Sequence, residues 1–320
     1  MYYIGIDLGG MSAKCAVLVD GTLCGVCRCK TDKNNTPEQT ATDLALLAEE
    51  AIKLSGIAKE QIGAIGIGSP GIIDSEKGVV ASWSNFGWEK VKLAKLVSEK
   101  AGLPVYVLND ANAATYGEYA YGSAKNYRSA VMLTIGTGVG GGIVFDGKLF
   151  EGNGGAGAEL GHEVIRFGGE KCTCGRRGCL EAYASATALI RQTKKVMALH
   201  KDSMLWQLCN GDLQEVNGKI IFEAYNNQDK TAKAVVNKYL GYLAEGVINY
   251  VNIFRPEAVI IGGGISAQGE VITKPVQRKV NRLKLGGKNS PAVKVVAATL
   301  GNDAGIFGAA AFAESKSKQY

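Results

Sequence analysis

A chain of 320 residues has room for one large or two medium domains with a substantial core. Its net charge of +6 is mild, and the densest basic run, Arg278 to Lys288, alternates with apolar residues at helical spacing, which predicts a solvated helix face rather than a nucleic-acid surface. No apolar run reaches the roughly 18–20 residues of a membrane span. The start, Met1-Tyr2-Tyr3-Ile4, has no basic segment or cleavage site, so the eight cysteines are expected as thiols or metal ligands in a reducing cytoplasm.

Residues 2–7, 13–19 and 22–30 read as three strands, the last two joined by an Asp20-Gly21 hairpin turn. A helix is predicted over 37–55, with Thr36 as N-cap, Pro37 at the first helical position and Gln39 completing a capping box. A buried strand follows at 62–68, then a helix at 89–101, a strand at 104–108 and a helix at 110–120. The pattern then restarts. "VMLTIGTGVGGGIVFDGKLF" (131–150) repeats the layout of "IGIDLGGMSAKCAVLVDGTL" (4–23), and its Asp-Gly turn falls 13 residues after Leu133, as the first falls 13 after Asp7. A duplicated strand unit opening each of two α/β lobes explains this best. Residues 229–253 carry an apolar stripe at helical spacing. "EAVIIGGG" (257–264) runs from strand into a glycine turn, and a strand near 293–297 and a closing helix near 303–315 end the chain.

Three glycine turns, at 7–10, 136–142 and 262–264, let backbone N–H groups approach an anion without a Cβ in the way. Two of them lie in the repeated unit, which suggests two lobes clamping a nucleotide. None has the P-loop or dinucleotide-binding spacing. Two cysteine clusters stand apart. In "CGVCRC" (24–29) an extended strand points Cys27 and Cys29 to one face and Cys24 to the other, so the three are read as sheet fillers. In "CTCGRRGCLE" (172–181) two glycines mark a tight loop, and His162 lies ten residues upstream of Cys172. His162, Cys172, Cys174 and Cys179 make a closed four-ligand set for a structural zinc ion.

The segment "GAGAELGH…CTCGRRGCLE" resembles the signature of the ROK family (repressors, open reading frames, kinases). "DLGG", "GSPG", "NDANAA" and "IGTGVGGG" follow in that family's order over essentially the whole chain. The resemblance is nearest to the bacterial ATP-dependent glucokinases. It implies a two-lobed, actin-like α/β fold with duplicated β-sheet cores and a zinc-binding loop. The small lobe would be 1–118, closed by a C-terminal helix at 303–320, and the large lobe 119–302 with the zinc loop at 159–181. It implies Asp110 as catalytic base and Asn109 as a sugar ligand. Glu159, His162 and Glu181 would hold sugar hydroxyls, with Gly71 and Asn85 nearby. Gly9, Gly10, Lys14, Thr137, Gly138 and Gly263 would face ATP, Asp7 the hydration shell of Mg²⁺. One departure stands out: Met11 occupies the place of the family's usual threonine in DxGGT.

The chemistry is consistent with these roles. Phosphoryl transfer needs positioning and charge neutralisation, and a carboxylate at the attacking hydroxyl takes its proton. "ND" before an apolar helical run is also an N-cap signature, so Asn109 or Asp110 is expected to cap while the other faces the cleft. Zinc on one ring nitrogen of His162 would leave the other as a donor. The expected reaction is phosphorylation of a hexose at its 6-hydroxyl, glucose first, with fructose, N-acetylmannosamine or allose as alternatives and a non-catalytic zinc-stabilised sugar-binding module as a more distant one. A repressor is not expected, since three residues before Ile4 leave no room for a helix-turn-helix. The expected partners are the hexose and ATP, with no nucleic acid or membrane, in a homodimer or homotetramer.

Overall fold

Alternating apolar residues and two short turns build the start of the chain. In the computed structural model, which describes residues 1–318, β1 (Tyr2–Leu8), β2 (Ser12–Val19) and β3 (Thr22–Lys30) form an antiparallel meander. Asp20 and Gly21 both take positive φ, 48° and 80°, as the tight hairpin turn requires. Helix α1 (Pro37–Ser55) starts at the predicted residue. Its capping box is complete: Gln39 N–H donates to Thr36 Oγ1 at 3.3 Å and Thr36 N–H to Gln39 Oε1 at 2.8 Å.

The chain continues through β4 (Ile62–Ser69), β5 (Ile72–Asp74), β6 (Val79–Trp83), β7 (Trp88–Val91), α2 (Leu93–Ala101), β8 (Val105–Asn109) and α3 (Asp110–Ala120). The helix expected over 89–101 thus begins as a strand, because residues 88–91 pair with β6 in a small three-stranded sheet. Trp83, Phe86 and Trp88 pack there, with Trp83 stacked on Phe86 at 3.9 Å.

The repeat then appears as β9 (Ser129–Ile135), β10 (Val139–Phe145) and β11 (Lys148–Leu149). Its turn copies the first, with Asp146 at φ 46° and Gly147 at φ 79°. Next come α4 (Glu181–Ala184), α5 (Ala186–Met197), α6 (Leu205–Leu208), α7 (Gly218–Asn226), α8 (Lys230–Phe254), β12 (Ala258–Gly262), α9 (Glu270–Leu283), β13 (Lys294–Ala297) and α10 (Ala304–Ser317). The two five-stranded sheets have matching orders, β3-β2-β1-β4-β8 and β11-β10-β9-β12-β13. In each, a meander is followed by two strands that join in parallel. The duplication read from the sequence is therefore a duplication of topology.

Two compact units result: Met1–Ser129, Gly142–Ala158 and the described residues from Thr299 to Lys318 form the first, and Ala130–Gly141 with Glu159–Ala298 the second. Residues 119–129 and 142–158, which the sequence division gives to the larger lobe, group with the first unit. Ser123 there is bonded to Glu118, and Glu151 accepts from Ser75 Oγ at 2.7 Å. The last two residues of the expected closing helix at 303–320 lie outside the described residues. Unit 1 has its core between β1, β4 and α10 and under α1. α10 comes so near α3 that a Cβ on Gly308 would fall 1.7 Å from Ala113 O. In unit 2, α8 buries the stripe from Ala232 to Val251.

One cation of the basic run departs from its expected place. Lys284 is 4% exposed, and its ammonium donates to Gly287 O at 2.6 Å and to Ser290 O and Pro291 O at 3.1 Å. The carbonyls of a loop replace solvent around the charge. Among the described residues, no helix is long and apolar enough to cross a membrane.

Candidate active site

In unit 1, β8 ends where α3 begins, and the junction carries Asn109 and Asp110. The cap falls to Asn109. Its Oδ1 accepts from Ala111 N at 2.9 Å and Asn112 N at 3.2 Å, and its Nδ2 donates to Gly71 O at 3.1 Å. Asp110 accepts from Ala111 N at 2.8 Å and stays free of the capping role. Burial pushes its carboxyl above the ordinary carboxylate value, against the opposing pull of backbone N–H groups and Asn109. Gly71 and Asn85 line one hollow of about 550 Å³, walled by Trp83 and Trp88. Four of the expected sugar-site residues of this unit are therefore linked by a bond or a shared surface.

Asp7 faces Lys14 across the β1–β2 pair, and Lys14 ion-pairs with Asp303. Burial, then the charge of Asp110, push Asp7 up to about 6, with Lys14 pulling it down and Asp303 up. The glycine turn between these strands closes by Gly9 N–H donating to Ser12 O at 2.9 Å. Met11 stands at its tip, 86% exposed, and Gly10 and Ser12 are exposed beside it.

Unit 2 holds the rest. Cys172 Sγ lies 3.6 Å from His162 Nδ1, Cys174 Sγ lies 3.7 Å from Cys179 Sγ, and all four ligand atoms lie within 4.8 Å of one another. A tetrahedral ion with Zn–S near 2.3 Å has S···S edges of about 3.8 Å, so three thiols and an imidazole at this spacing fit zinc. His162 turns Nδ1 to the thiols, which leaves Nε2 as the other ring position. Cys15, Cys27 and Cys29 belong to the sheet core of unit 1 instead.

Glu181, the first residue of α4, has both oxygens engaged. Thr173 Oγ1 donates to Oε1 at 2.6 Å and Val139 N–H to Oε2 at 3.0 Å. Burial alone would raise its carboxyl, but these donors outweigh it and hold the group low. Gly138 is tied to it sterically, since a Cβ there would sit 2.5 Å from Glu181 Oε2. Glu159 is exposed, and among the described residues only its carbonyl is bonded, by His162 N–H at 3.0 Å. Thr137 lines a cavity of about 610 Å³ with Gly136, Gly264, Ile265 and Phe222, and Gly263 lies at its edge against Ile135.

The known proteins point the same way. The ROK family model matches residues 3–316. The chain belongs to the ROK family. It is 37% identical over 315 residues to a glucokinase of Thermotoga maritima, covering 98% of this chain and 97% of that one. Among solved structures it resembles a ROK family glucokinase from Streptomyces griseus in complex with glucose and AMPPNP, at 33% identity and a TM-score of 0.81 over 98% of this chain and 100% of that one. A ROK hexokinase from Thermus thermophilus gives 31% and 0.82, with full coverage of both chains. The ROK fold expected from the motifs is thus the fold observed.

Two charged residues of this ROK chain escaped the sequence reading. Asp303 pairs with Lys14, and its signal was available: Asn302-Asp303-Ala304 before α10 repeats Asn109-Asp110-Ala111 before α3. Glu118 is fully buried and had no signal beyond being a carboxylate on a helix.

Proposed function

We propose that the protein transfers the γ-phosphoryl group of ATP to the 6-hydroxyl of glucose. The observation that carries this is Asp110, a half-buried carboxylate that does not cap α3 and, among the described residues, forms no ion pair, next in the chain to Asn109, whose side chain bonds Gly71 at the hollow. A base with a raised pKa accepts a hydroxyl proton more readily. Asn109, held by Gly71 O and by its own helix, presents a fixed polar edge beside it. Glu159, His162 and Glu181 supply acceptors and a donor for the other hydroxyls. His162 would give its Nδ1 to zinc with Cys172, Cys174 and Cys179, and its Nε2–H to the sugar.

The cavity beside Thr137 suits adenosine, with Gly138 and Gly263 offering backbone N–H groups to phosphate. Gly9, Gly10 and Lys14 do the same in unit 1. Lys14 carries Asp303 as a counter-ion, so it approaches phosphate as a neutralised pair. Mg²⁺, when bound, neutralises phosphate charge, and Asp7 is placed to hold its water. Eight free thiols suit a reducing cytoplasm, and a homodimer or homotetramer is the expected assembly.

The test is an ATP-coupled assay over a hexose panel: glucose, fructose, N-acetylmannosamine and allose. Glucose should give the highest kcat/KM. Asp110→Asn should keep fold and sugar binding and lose about a hundredfold or more in kcat. Near-normal turnover in that variant removes Asp110 from the chemistry, and turnover of another hexose above glucose overturns the substrate assignment.

A further inference from the structure

Unit 2 has a second cavity that none of these roles uses. It measures about 680 Å³, within the range of small-molecule sites. Its walls come from residues 166–170, from α5 and from the middle of α8. Five cations line it, Arg166, Arg177, Arg191, Lys195 and Lys238, against one carboxylate, Glu170. Cations gathered round a concavity repel one another and concentrate anions there.

The cavity is built rather than merely charged. Arg191 Nη2 donates to Ala182 O at 2.5 Å and Arg177 Nη1 to Gly169 O at 3.2 Å. Guanidinium forks fixed in this way lose little entropy on meeting an anion. Among the described residues, two buried polar atoms of adjacent lining residues have no hydrogen-bond partner, the donor Arg191 Nε and the acceptor Gln192 Oε1. Arg166 and Lys238 are exposed and, among the described residues, are not engaged by another side chain. The rest of the lining is apolar: the rings of Tyr183 and Tyr242 lie 4.7 Å apart, beside Val196 and Val235. A bare inorganic ion has no use for that surface.

We propose that this cavity binds a small organic phosphate, its anionic end on the arginines and its body on the tyrosine pair. The occupant would act on the zinc loop and on α4. Arg177 lies between Cys174 and Cys179, and Arg191 and Gln192 hold the carbonyls of Ala182 and Tyr183, just after Glu181. The binding claim stands apart from the sugar-kinase reading; the effect on turnover rests on it.

Isothermal titration of the zinc-loaded protein with phosphoenolpyruvate tests this, in saturating glucose and Mg²⁺–AMPPNP so that the proposed active site is filled. One site per chain is expected, tighter than for inorganic phosphate and weakened by salt. Combining Arg166→Glu with Lys238→Glu should weaken binding roughly tenfold or more, the scale of a lost charged hydrogen bond, with Tm and probe-free turnover unchanged. Absence of binding by phosphoenolpyruvate, 3-phosphoglycerate and inorganic phosphate alike overturns the proposal, as does undiminished binding in the double variant. So does light scattering in which the charge reversals split a wild-type dimer, for then a second copy covers the face. Equal affinity for inorganic phosphate removes the organic body. Saturable binding in a protein that fails to phosphorylate any hexose would keep this site and sink the kinase reading.

Discussion

The Asp7 carboxylate, when ionised, weakens the fold that buries it. Its carboxyl is raised from the ordinary 3.8 to about 6, by burial first and then by Asp110. Between those two values the folded protein keeps a proton that the unfolded chain has released. Stability therefore falls as pH rises through this window, and the loss is complete above it. Asp7→Asn removes the titrating group. The variant is expected to have a higher Tm than wild type at pH 7.5, little change at pH 4, and a shallower slope between, by thermal unfolding without nucleotide. A lower Tm at pH 7.5 would mean that attraction to Lys14 outweighs burial. Residues like these differ in how far they can be read in advance. The clustering of His162, Cys172, Cys174 and Cys179, whose ligand atoms lie within 4.8 Å of one another, was legible because thiols and imidazole have a chemistry that spacing betrays. Glu118 was not, because a carboxylate's role depends on what the fold brings to it, and the repeated Asn-Asp-Ala marked Asp303 without naming Lys14 as its partner.

Helix α3 carries Asp110 at one end and Glu118 two turns on. Glu118 accepts five hydrogen bonds: from the amide and hydroxyl of Ser123, from the amide and hydroxyl of Thr299, and from Leu300 N–H. One carboxylate thus ties the turn after α3 to the segment that leads into Asp303 and α10. Glu118→Gln keeps one oxygen but sets an NH₂ against donors. The expected cost is about 2–3 kcal/mol, that of leaving buried donors unpaired beside a lost charged acceptor. Thermal unfolding should show a Tm several degrees lower, and an unchanged Tm would mean that water replaces the carboxylate. Elements with strong local signals were legible from sequence: α1 from its capping box, α3 from its N-cap. The sheet of β5, β6 and β7 was not, because strands of three to five residues give little periodicity. Its stability comes from the Trp83–Phe86–Trp88 cluster, which forms only on folding.

The two sheets share one strand order, yet the two units are stabilised differently. Unit 1 rests on close helix packing against β1 and β4, with Cys15 and Cys27 paired across β2 and β3 as small apolar fillers. Unit 2 contains an irregular stretch, 159–180, with only 3₁₀ turns and isolated bridges for regular structure. Such a stretch has only a small apolar set, Leu160 and Leu180 with the half-buried Val164 and Ile165, to offset its own ordering. We propose that a zinc ion on Cys172, Cys174, Cys179 and His162 supplies the rest, since a structural zinc ion contributes folding free energy directly. Metal analysis should find about one zinc per chain. Cys174→Ser should lose it and Cys27→Ser should retain it. Hydrogen exchange then locates the consequence. In the Cys174→Ser protein, protection should fall in 159–185, where the backbone bonds of Gly178, Ile165 and Leu180 depend on the loop. Protection in β1, β2 and α1 should stay at the wild-type level. Equal losses in both sheets would mean that the ion supports the whole molecule. Zinc retained without Cys174, or lost with Cys27, would exchange the roles given to the two cysteine clusters.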